Sequence, residues 1–232
     1  MRSMSSNYAL MVLKAGWVTL ELALSALLLS VVIGLICALG KQSGRRCLRF
    51  IIWFYTLLAR GIPDLVMMLL VFYSLPALIN YGIGEYGGSN SIEFSPFMAG
   101  FITLGFIFGA YMTETFRNAL INIPHGEIEA ASAFGFSPYK LFIRIILPKM
   151  IRLALPGFTN NWLVLIKATA LVSLLGLEDI MFRAKGAAEA TGQPFSFYLL
   201  AAGFYLAITL LSVLILRWLG KRYELGIKQV TL

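Results

Sequence analysis

The chain has 232 residues, of which 59% are hydrophobic and 13% charged, and its mean hydropathy is +0.82. Soluble domains carry about 25% charged and about 45–50% apolar residues, so this composition excludes a water-soluble globular protein. The net charge of +8 would suit nucleic acid in a soluble protein, but in a membrane protein it marks cytoplasmic loops. We therefore expect an all-α, multi-pass protein in contact with the lipid bilayer and no nucleic-acid partner.

Five apolar stretches are predicted to cross the membrane, because a spanning helix needs about 20 mostly apolar residues. Their predicted bounds are about 17–40, 50–84, 94–119, 155–177 and 194–216. The second stretch is interrupted at residues 60–64 by the sequence RGIPD, since Gly and Pro favour a helix break there. No internal repeat divides the chain, so residues 1–232 are predicted to form one transmembrane domain.

The distribution of Lys and Arg predicts the orientation of the chain, since these residues collect in cytoplasmic loops. The basic regions that should share the cytoplasmic face are residues 41–49, 140–152 and 217–228. The acidic loop of residues 81–96 and the mixed-charge loop of residues 178–193 should face the opposite side. We therefore expect the N-terminus outside the cytoplasm and the C-terminus inside it.

The segment between the third and fourth spans, about residues 122–150, is too charged to cross lipid and too apolar for a free loop. A short helix is predicted at residues 129–133, since alanine is the best helix former, with Gly135 as its stop. The serine-proline pair at residues 137–138 fits the N-cap and first position of a second helix, which Pro148 should break. The product would be a helix-turn-helix across the cytoplasmic ends of the spans.

The order of residues in this segment is similar to the EAA signature of permease subunits of bacterial ABC importers. Its fixed positions are Glu129, Ala130, Ala131, Gly135, Ile145, Leu147 and Pro148. The resemblance implies that the helix docks in a cleft of a partner ATPase, so that closure of the ATPases moves the membrane spans. The alternative interpretation is an ordinary amphipathic surface loop. We call residues 122–150 the coupling segment.

Longer stretches resemble one branch of that family, the polar amino-acid importers with five spans per permease. They include VTLELALSALLLSVVIGL, ARGIPDLVMMLLVFY, GAYMTETFRNAL and NNWLVLIKATALVSLLGLEDI, and the resemblance covers nearly all of residues 9–228. Within the branch, the chain is most similar to the Q-type permeases of histidine/lysine/arginine/ornithine systems and their opine-importing relatives. The resemblance implies ATP-driven import of polar, basic amino acids across the bacterial inner membrane.

The same resemblance implies the partners of the chain. They would be a second homologous permease, expected to form a heterodimer with it, two ATPase subunits and a secreted periplasmic solute-binding protein. The sequence has no G-x-x-x-x-G-K-[ST] phosphate-binding loop, so ATP and Mg are expected on the partner ATPase. One histidine and two distant cysteines cannot build a metal cluster or a nucleophile with its base, so we expect no cofactor and no enzyme activity on this chain.

Polar residues at membrane depth are candidates for the substrate pathway, because ionisable groups there are costly and usually face a pathway or a partner. The candidates are Asp64, Asn160, Asn161, Lys167, Glu178 and Asp179. Asp64 follows the Gly-Pro break, where its carboxylate would accept a cationic substrate side chain. The alternative is a structural Asp64 that pairs with Arg60.

The other candidates belong to the fourth span. Asn160, Asn161 and Lys167 should lie close to one helical face, two turns apart, and would either line the route or join subunits. Glu178 and Asp179 close the span at the outer surface, where they would meet a cationic substrate or the binding protein. The alternative for these two acids is a solvated helix end.

Two other protein classes stay open as alternatives. One is a structural or channel-forming membrane protein whose cytoplasmic helix-turn-helix binds a different partner, and the other is an integral-membrane enzyme. The intact EAA string favours the importer over the first, and the missing catalytic groups weigh against the second.

Near the inner end of the third span, Glu114 and Arg117 are predicted to pair and to brace the coupling segment.

Overall fold

A computed structural model describes residues 2–85 and 92–224, and these residues form α-helices, short π and 3-10 turns and connections without strands. The all-α prediction is confirmed. Part of the predicted outer loop, residues 86–91, and the tail with Lys228 lie outside the described residues. The helices of the described chain are α1 (Arg2–Gln42), α2 (Arg46–Gly61), α3 (Asp64–Leu69), α4 (Leu75–Glu85), α5 (Pro96–Ile121), α6 (His125–Ala133), α7 (Pro138–Leu141), α8 (Leu147–Ala168), α9 (Ile180–Thr191) and α10 (Pro194–Glu224).

Four helical stretches of the described residues are long and apolar enough to span a membrane. They are Asn7–Gln42, Asp64–Ile83, Pro96–Ile121 and Pro194–Arg222. The predicted fourth span, about residues 155–177, is not among these four, although it is helical as far as Leu175, as the second part of α8 and a 3-10 turn, Thr169–Leu175. The α-helix ends at Ala168, inside the predicted span, and the earlier part of α8 carries Lys149 and Arg152, so α8 itself is less apolar than the four spans.

The interruption predicted in the second span is present. α2 ends at Gly61, Ile62 and Pro63 are extended, and α3 begins at Asp64. Proline disfavours the helical conformation of the residue before it, which accounts for the break. α3 then continues through a π-helical turn, Leu70–Ser74, into α4, so the apolar candidate span begins after the break and α2 is a separate helix.

α1 and α5 pack side by side in the centre of the bundle, through glycines that let the two backbones approach closely. A Cβ added at Gly105 would collide with Leu29, and one added at Gly109 would lie 2.8 Å from the Cγ2 of Ile33. Because both residue numbers rise together along these two contacts, α1 and α5 run parallel. Their C-terminal ends therefore lie at the same end of the bundle.

The connection predicted as a loop at residues 178–193 is instead largely the helix α9. The carboxylate of Asp179 caps its N-terminus by accepting the backbone N–H of Phe182 at 2.9 Å. Gly192 ends the helix with φ of +68°, a conformation that favours glycine. α9 packs in a small apolar core between α1 and α10. The buried residues of this core are Val12 of α1, Ile180, Ala184, Ala187 and Ala188 of α9, and Phe197 and Ala201 of α10.

Candidate functional site

The short helix predicted at residues 129–133 is present as α6, which begins earlier than predicted. α6 ends in a Schellman motif, in which Phe136 N–H donates to the Ala131 carbonyl at 3.2 Å and Gly135 N–H to the Ser132 carbonyl at 3.0 Å. Gly135 has φ of +78°, a conformation that costs an L-residue with a Cβ roughly 1–2 kcal/mol. The predicted glycine stop is confirmed.

The second helix of the coupling segment starts as predicted but does not stop where expected. The hydroxyl of Ser137 caps it and Pro138 takes its first position. The break predicted at Pro148 is wrong, because α7 continues through a π-helical turn, Phe142–Ile146, directly into α8. In that turn the backbone N–H of Leu147 donates five residues back, and the wider turn makes room for a proline ring one residue later.

One side of α6 is anchored to the helix bundle. Ala131 is buried and Ile128 half-buried, and the latter packs against an apolar cluster that includes Ile123 and Met150. An ion pair between Glu127 of α6 and Lys149 of α8 adds a polar link. α6 is therefore fixed to the end of the bundle at which α1 and α5 end.

The other side of the coupling segment is exposed. Phe134, just after α6, is 84% exposed, and Tyr139 is 74% exposed. The seven EAA positions divide between these two sides. Ala131 is buried, Ile145 and Leu147 are half-buried, and the exposed positions are Glu129, Ala130, Gly135 and Pro148.

Asn160 and Asn161 are neighbours in α8 but face different ways. Asn161 is buried, and its amide donates to Thr115 Oγ1 of α5 at 3.0 Å. Gly157, one turn earlier, allows this close approach, since a Cβ there would lie 2.8 Å from the Cγ2 of Thr115. Asn160 and Lys167 are both exposed, two turns apart on another face. The predicted single polar face therefore divides into an exposed pair and a helix-to-helix contact within the chain.

A cavity of about 720 Å³ lies beside Lys167, between the end of α8, α9 and α10. Its polar lining comes from Lys167, Tyr198, Tyr205 and Thr209, and the remainder is apolar. The Thr209 hydroxyl is buried and has no hydrogen-bond partner in the part of the chain that the structure describes. The cavity is thus predominantly apolar with a few polar side chains in its lining, the usual composition of a small-molecule site.

Asp64 is half-buried at the first position of α3, directly after the break. Among the ion pairs of the described residues, none joins it to Arg60. The guanidinium of Arg60 lies instead over the ring of Tyr111 in α5, 5.3 Å from the ring centroid. The alternative in which Arg60 pairs with Asp64 is therefore not the arrangement of this structure.

Glu178 and Asp179 differ in their surroundings. Glu178 is exposed and pairs with Arg183 of α9. Asp179 is completely buried, and one of its carboxylate oxygens has no partner among the described residues. Burial raises the pKa of Asp179 to about 6, although the hydrogen bond from the Phe182 N–H acts in the opposite direction. Glu178 thus lies at a solvent-exposed helix end, as the alternative interpretation has it, whereas Asp179 is a buried helix cap.

Glu114 and Arg117 form the predicted i, i+3 pair, with 4.0 Å between their charged atoms. Sequence reasoning missed the stronger partner of Glu114, which is Lys41 at the end of α1. Lys41 also donates to Thr56 Oγ1 of α2 at 3.1 Å. Lys41 is 73 residues from Glu114 in sequence, so no local sequence pattern predicts their contact. Through Glu114 and Thr56, Lys41 joins α1 to α5 and to α2.

Residues 30–225 match the family model described as "Binding-protein-dependent transport system inner membrane component". The histidine/lysine/arginine/ornithine transport system permease protein HisQ of Escherichia coli (strain K12) is 49% identical over 221 residues, which cover 95% of this chain and 96% of HisQ. The octopine transport system permease protein OccQ of Agrobacterium tumefaciens (strain Ach5) is 36% identical over 217 residues, covering 94% and 92%. A chain in the crystal structure of an amino acid ABC transporter with histidines superposes with a TM-score of 0.78 at 27% identity, covering 94% of this chain and 96% of that chain.

Proposed function

The chain belongs to the family of binding-protein-dependent transport system inner membrane components, and on that premise we propose that it is the permease of an ATP-driven importer for basic amino acids. As a family member it is a multi-pass transport subunit of the inner membrane and not an enzyme. The names of its relatives, which refer to histidine, lysine, arginine, ornithine and octopine, support this substrate class.

The permease crosses the membrane five times, with α8 and its 3-10 extension as the fourth crossing. Together they rise about 45 Å, more than the roughly 30 Å of a hydrocarbon core. α8 packs against both α5 and α10, and its Asn161 is satisfied by Thr115, so this crossing need not be apolar all round.

Five crossings place the N-terminus in the periplasm and the C-terminus in the cytoplasm, because the basic regions then share the cytoplasmic face. Reporter fusions after Arg46, Glu93, Lys140, Glu189 and Arg222 should read in, out, in, out, in. A swapped pair of neighbours would contradict this topology.

The coupling segment docks in a cleft of the ATPase subunit through α6 and the turn after it. Two features support this role. Phe134 is 84% exposed in a segment that the topology puts outside the lipid, so docking in an ATPase cleft would remove its apolar ring from water. On the opposite side, Ile128 and the Glu127–Lys149 ion pair hold α6 to the bundle. A displacement of α6 by the ATPase would therefore be transmitted to α8.

The substrate route passes along the exposed face of α8. Lys167, beside its cavity of about 720 Å³, provides an ammonium group for the α-carboxylate that every amino acid carries. Asn160 on the same face adds an uncharged donor and acceptor. Asp64, which has no ion-pair partner among the described residues, offers a carboxylate for a cationic side chain.

The permease works with a second, homologous permease as a heterodimer, two ATPase subunits that hold ATP and Mg, and a periplasmic binding protein. Much of α10 and of the α3–α4 span is exposed in the single chain, whereas α5 is largely buried. The exposed helices leave room for a second permease. The membership of the chain in a binding-protein-dependent family supports the periplasmic partner.

This function is tested in proteoliposomes that contain the chain, its second permease and its ATPase. With the binding protein and labelled arginine outside and ATP inside, we expect arginine uptake that requires ATP and is lost when this chain is omitted. Uptake of neutral amino acids alone would contradict the substrate class. An ion conductance that does not need ATP would favour a channel-forming protein instead.

A further inference from the structure

A basic cavity lies between the end of α1, one face of α2 and the last turns of α5, and its lining includes neither Lys167 nor any residue of the coupling segment. Its volume is about 660 Å³. Each of the three helices contributes a cation to its lining, and the charged lining residues are Lys41, Arg49, Arg60, Glu114 and Arg117. Four cations thus surround one carboxylate among the described residues.

The positive charge of this cavity is only partly compensated. Glu114 pairs with Lys41 and lies 4.0 Å from Arg117. Arg49 and Arg60 take part in no ion pair within the described ranges, and Arg60 is held over the Tyr111 ring. A cationic amino acid would be repelled by such a lining, whereas an anionic group would find unpaired guanidinium groups.

The level of the cavity in the membrane limits what the anion can be. The candidate spans of α1 and α5 end at Gln42 and Ile121, and both Lys41 and Arg117 lie near these ends. The end of a membrane span marks the boundary of the hydrocarbon core, so this side of the cavity is placed at the level of the lipid phosphates. The cavity therefore opens at a membrane interface and extends inward along α2 as far as Gly61.

The lining of the cavity continues into an apolar surface. Trp53 and Leu57 belong to the lining and are 51% and 52% exposed. Phe50 and Phe54, on the adjoining surface of α2, are also exposed. Tryptophan is enriched at membrane interfaces. A ligand with an anionic head and apolar tails fits this combination, and a small soluble anion would leave the apolar part unused.

We propose that this cavity binds the phosphate group of an anionic phospholipid. The phosphodiester is held by Arg49 and Arg60, and the acyl chains lie over the exposed rings of Phe50 and Phe54 beside the cavity. Free phosphate has the same anionic oxygens, and only the apolar surface beside the cavity distinguishes the two ligands. The proposal is independent of which amino acid the importer carries.

The test uses the purified complex of the chain with its partners, in nanodiscs of phosphatidylethanolamine with or without phosphatidylglycerol. Native mass spectrometry counts the phosphatidylglycerol that stays bound after delipidation. Since each Arg near a membrane surface attracts anionic lipid by about 1 kcal/mol, R49Q and R60Q should each lower retention about fivefold. Arg49→Lys keeps the charge and should restore most of it. The matched control is R46Q, which removes a charge from the same helix outside the cavity lining.

Three results would overturn the proposal. Unchanged retention in R49Q and R60Q would mean that the bound lipid lies elsewhere on the surface. An equal loss in R46Q would mean general attraction to a basic helix and no defined site. Binding of inorganic phosphate that is lost in R49Q and R60Q, in a complex that retains no phosphatidylglycerol, would assign the cavity to a soluble anion.

Discussion

Glu127, in the first turn of α6, forms an ion pair with Lys149 near the start of α8. This pair links the segment proposed to meet the ATPase with the helix that carries Asn161 and Lys167. Both side chains are more than one-third exposed, so the pair contributes little to stability, about 0–1 kcal/mol. Its importance would lie in transmitting a displacement of α6 to the membrane helices.

The Glu127→Lys variant should therefore fold and insert normally but transport less per ATP hydrolysed, by up to about fivefold for a pair of this strength. Reversing both charges, with Glu127→Lys and Lys149→Glu together, should restore the ratio. The measurement is arginine uptake divided by ATP hydrolysis in proteoliposomes. A single variant with an unchanged ratio would show that the ion pair does not transmit the movement.

Variants of Asn160 and Asn161 distinguish a role in the proposed substrate route from a role in the stability of the protein. Asn161→Ala leaves Thr115 without its buried partner and should destabilise the complex by about 1–3 kcal/mol, seen as a lower melting temperature. Asn160 is exposed, so Asn160→Ala should leave the melting temperature unchanged and reduce uptake. The opposite assignment of the two effects would remove Asn160 from the proposed route.

Asp179 should make the stability of the protein depend on pH. Its folded-state pKa, about 6, lies above its ordinary value of 3.8, so the neutral form stabilises the fold at low pH and that contribution is lost as the pH rises through about 6. Asp179→Asn keeps a capping oxygen and removes the buried charge. The variant should melt higher than the original chain at about pH 7, with a smaller difference at about pH 5. Equal differences at both pH values would contradict the raised pKa.

Asp64 tests whether the chain itself recognises substrate charge. A charge-assisted contact contributes about 1.5–3 kcal/mol, so Asp64→Asn should lower arginine uptake about tenfold or more. Uptake of a neutral amino acid such as glutamine, if the system carries any, should change less. Both are measured with the binding protein saturating. Equal losses for the two substrates would return Asp64 to a structural role at the start of α3.

Features fixed by a few neighbouring residues could be predicted from the sequence. The stop at Gly135 and the cap at Ser137 follow from local backbone chemistry, and both are present. Pro148 does not break the helix, because the π-helical turn just before it makes room for the proline ring. Helix propensities of single residues do not predict such a turn.

Features that depend on packing could not be predicted in the same way. One helical step of about 100° separates Asn160 from Asn161, and only the position of α5 decides which of the two is buried. The Lys41–Glu114 pair joins helices that are far apart in sequence. Asp179 was expected at an outer surface, but the start of α9 packs against α1 and α10, so Asp179 is buried.

The most direct test of the central claim, that α6 and the turn after it couple this permease to an ATPase, is Gly135→Asp. Gly135 has a positive φ and open space around it, so the aspartate strains the turn and adds a charge beside Phe134 without a clash inside the bundle. Gly126→Ala is the control, since Gly126 lies in α6, also in open space and without a positive φ.

We would measure arginine uptake and binding-protein-stimulated ATP hydrolysis in the purified complexes. We predict that Gly135→Asp inserts into the membrane but loses both activities, while Gly126→Ala keeps both. A Gly135→Asp complex that retained its ATPase and transported arginine at the original rate would contradict the account.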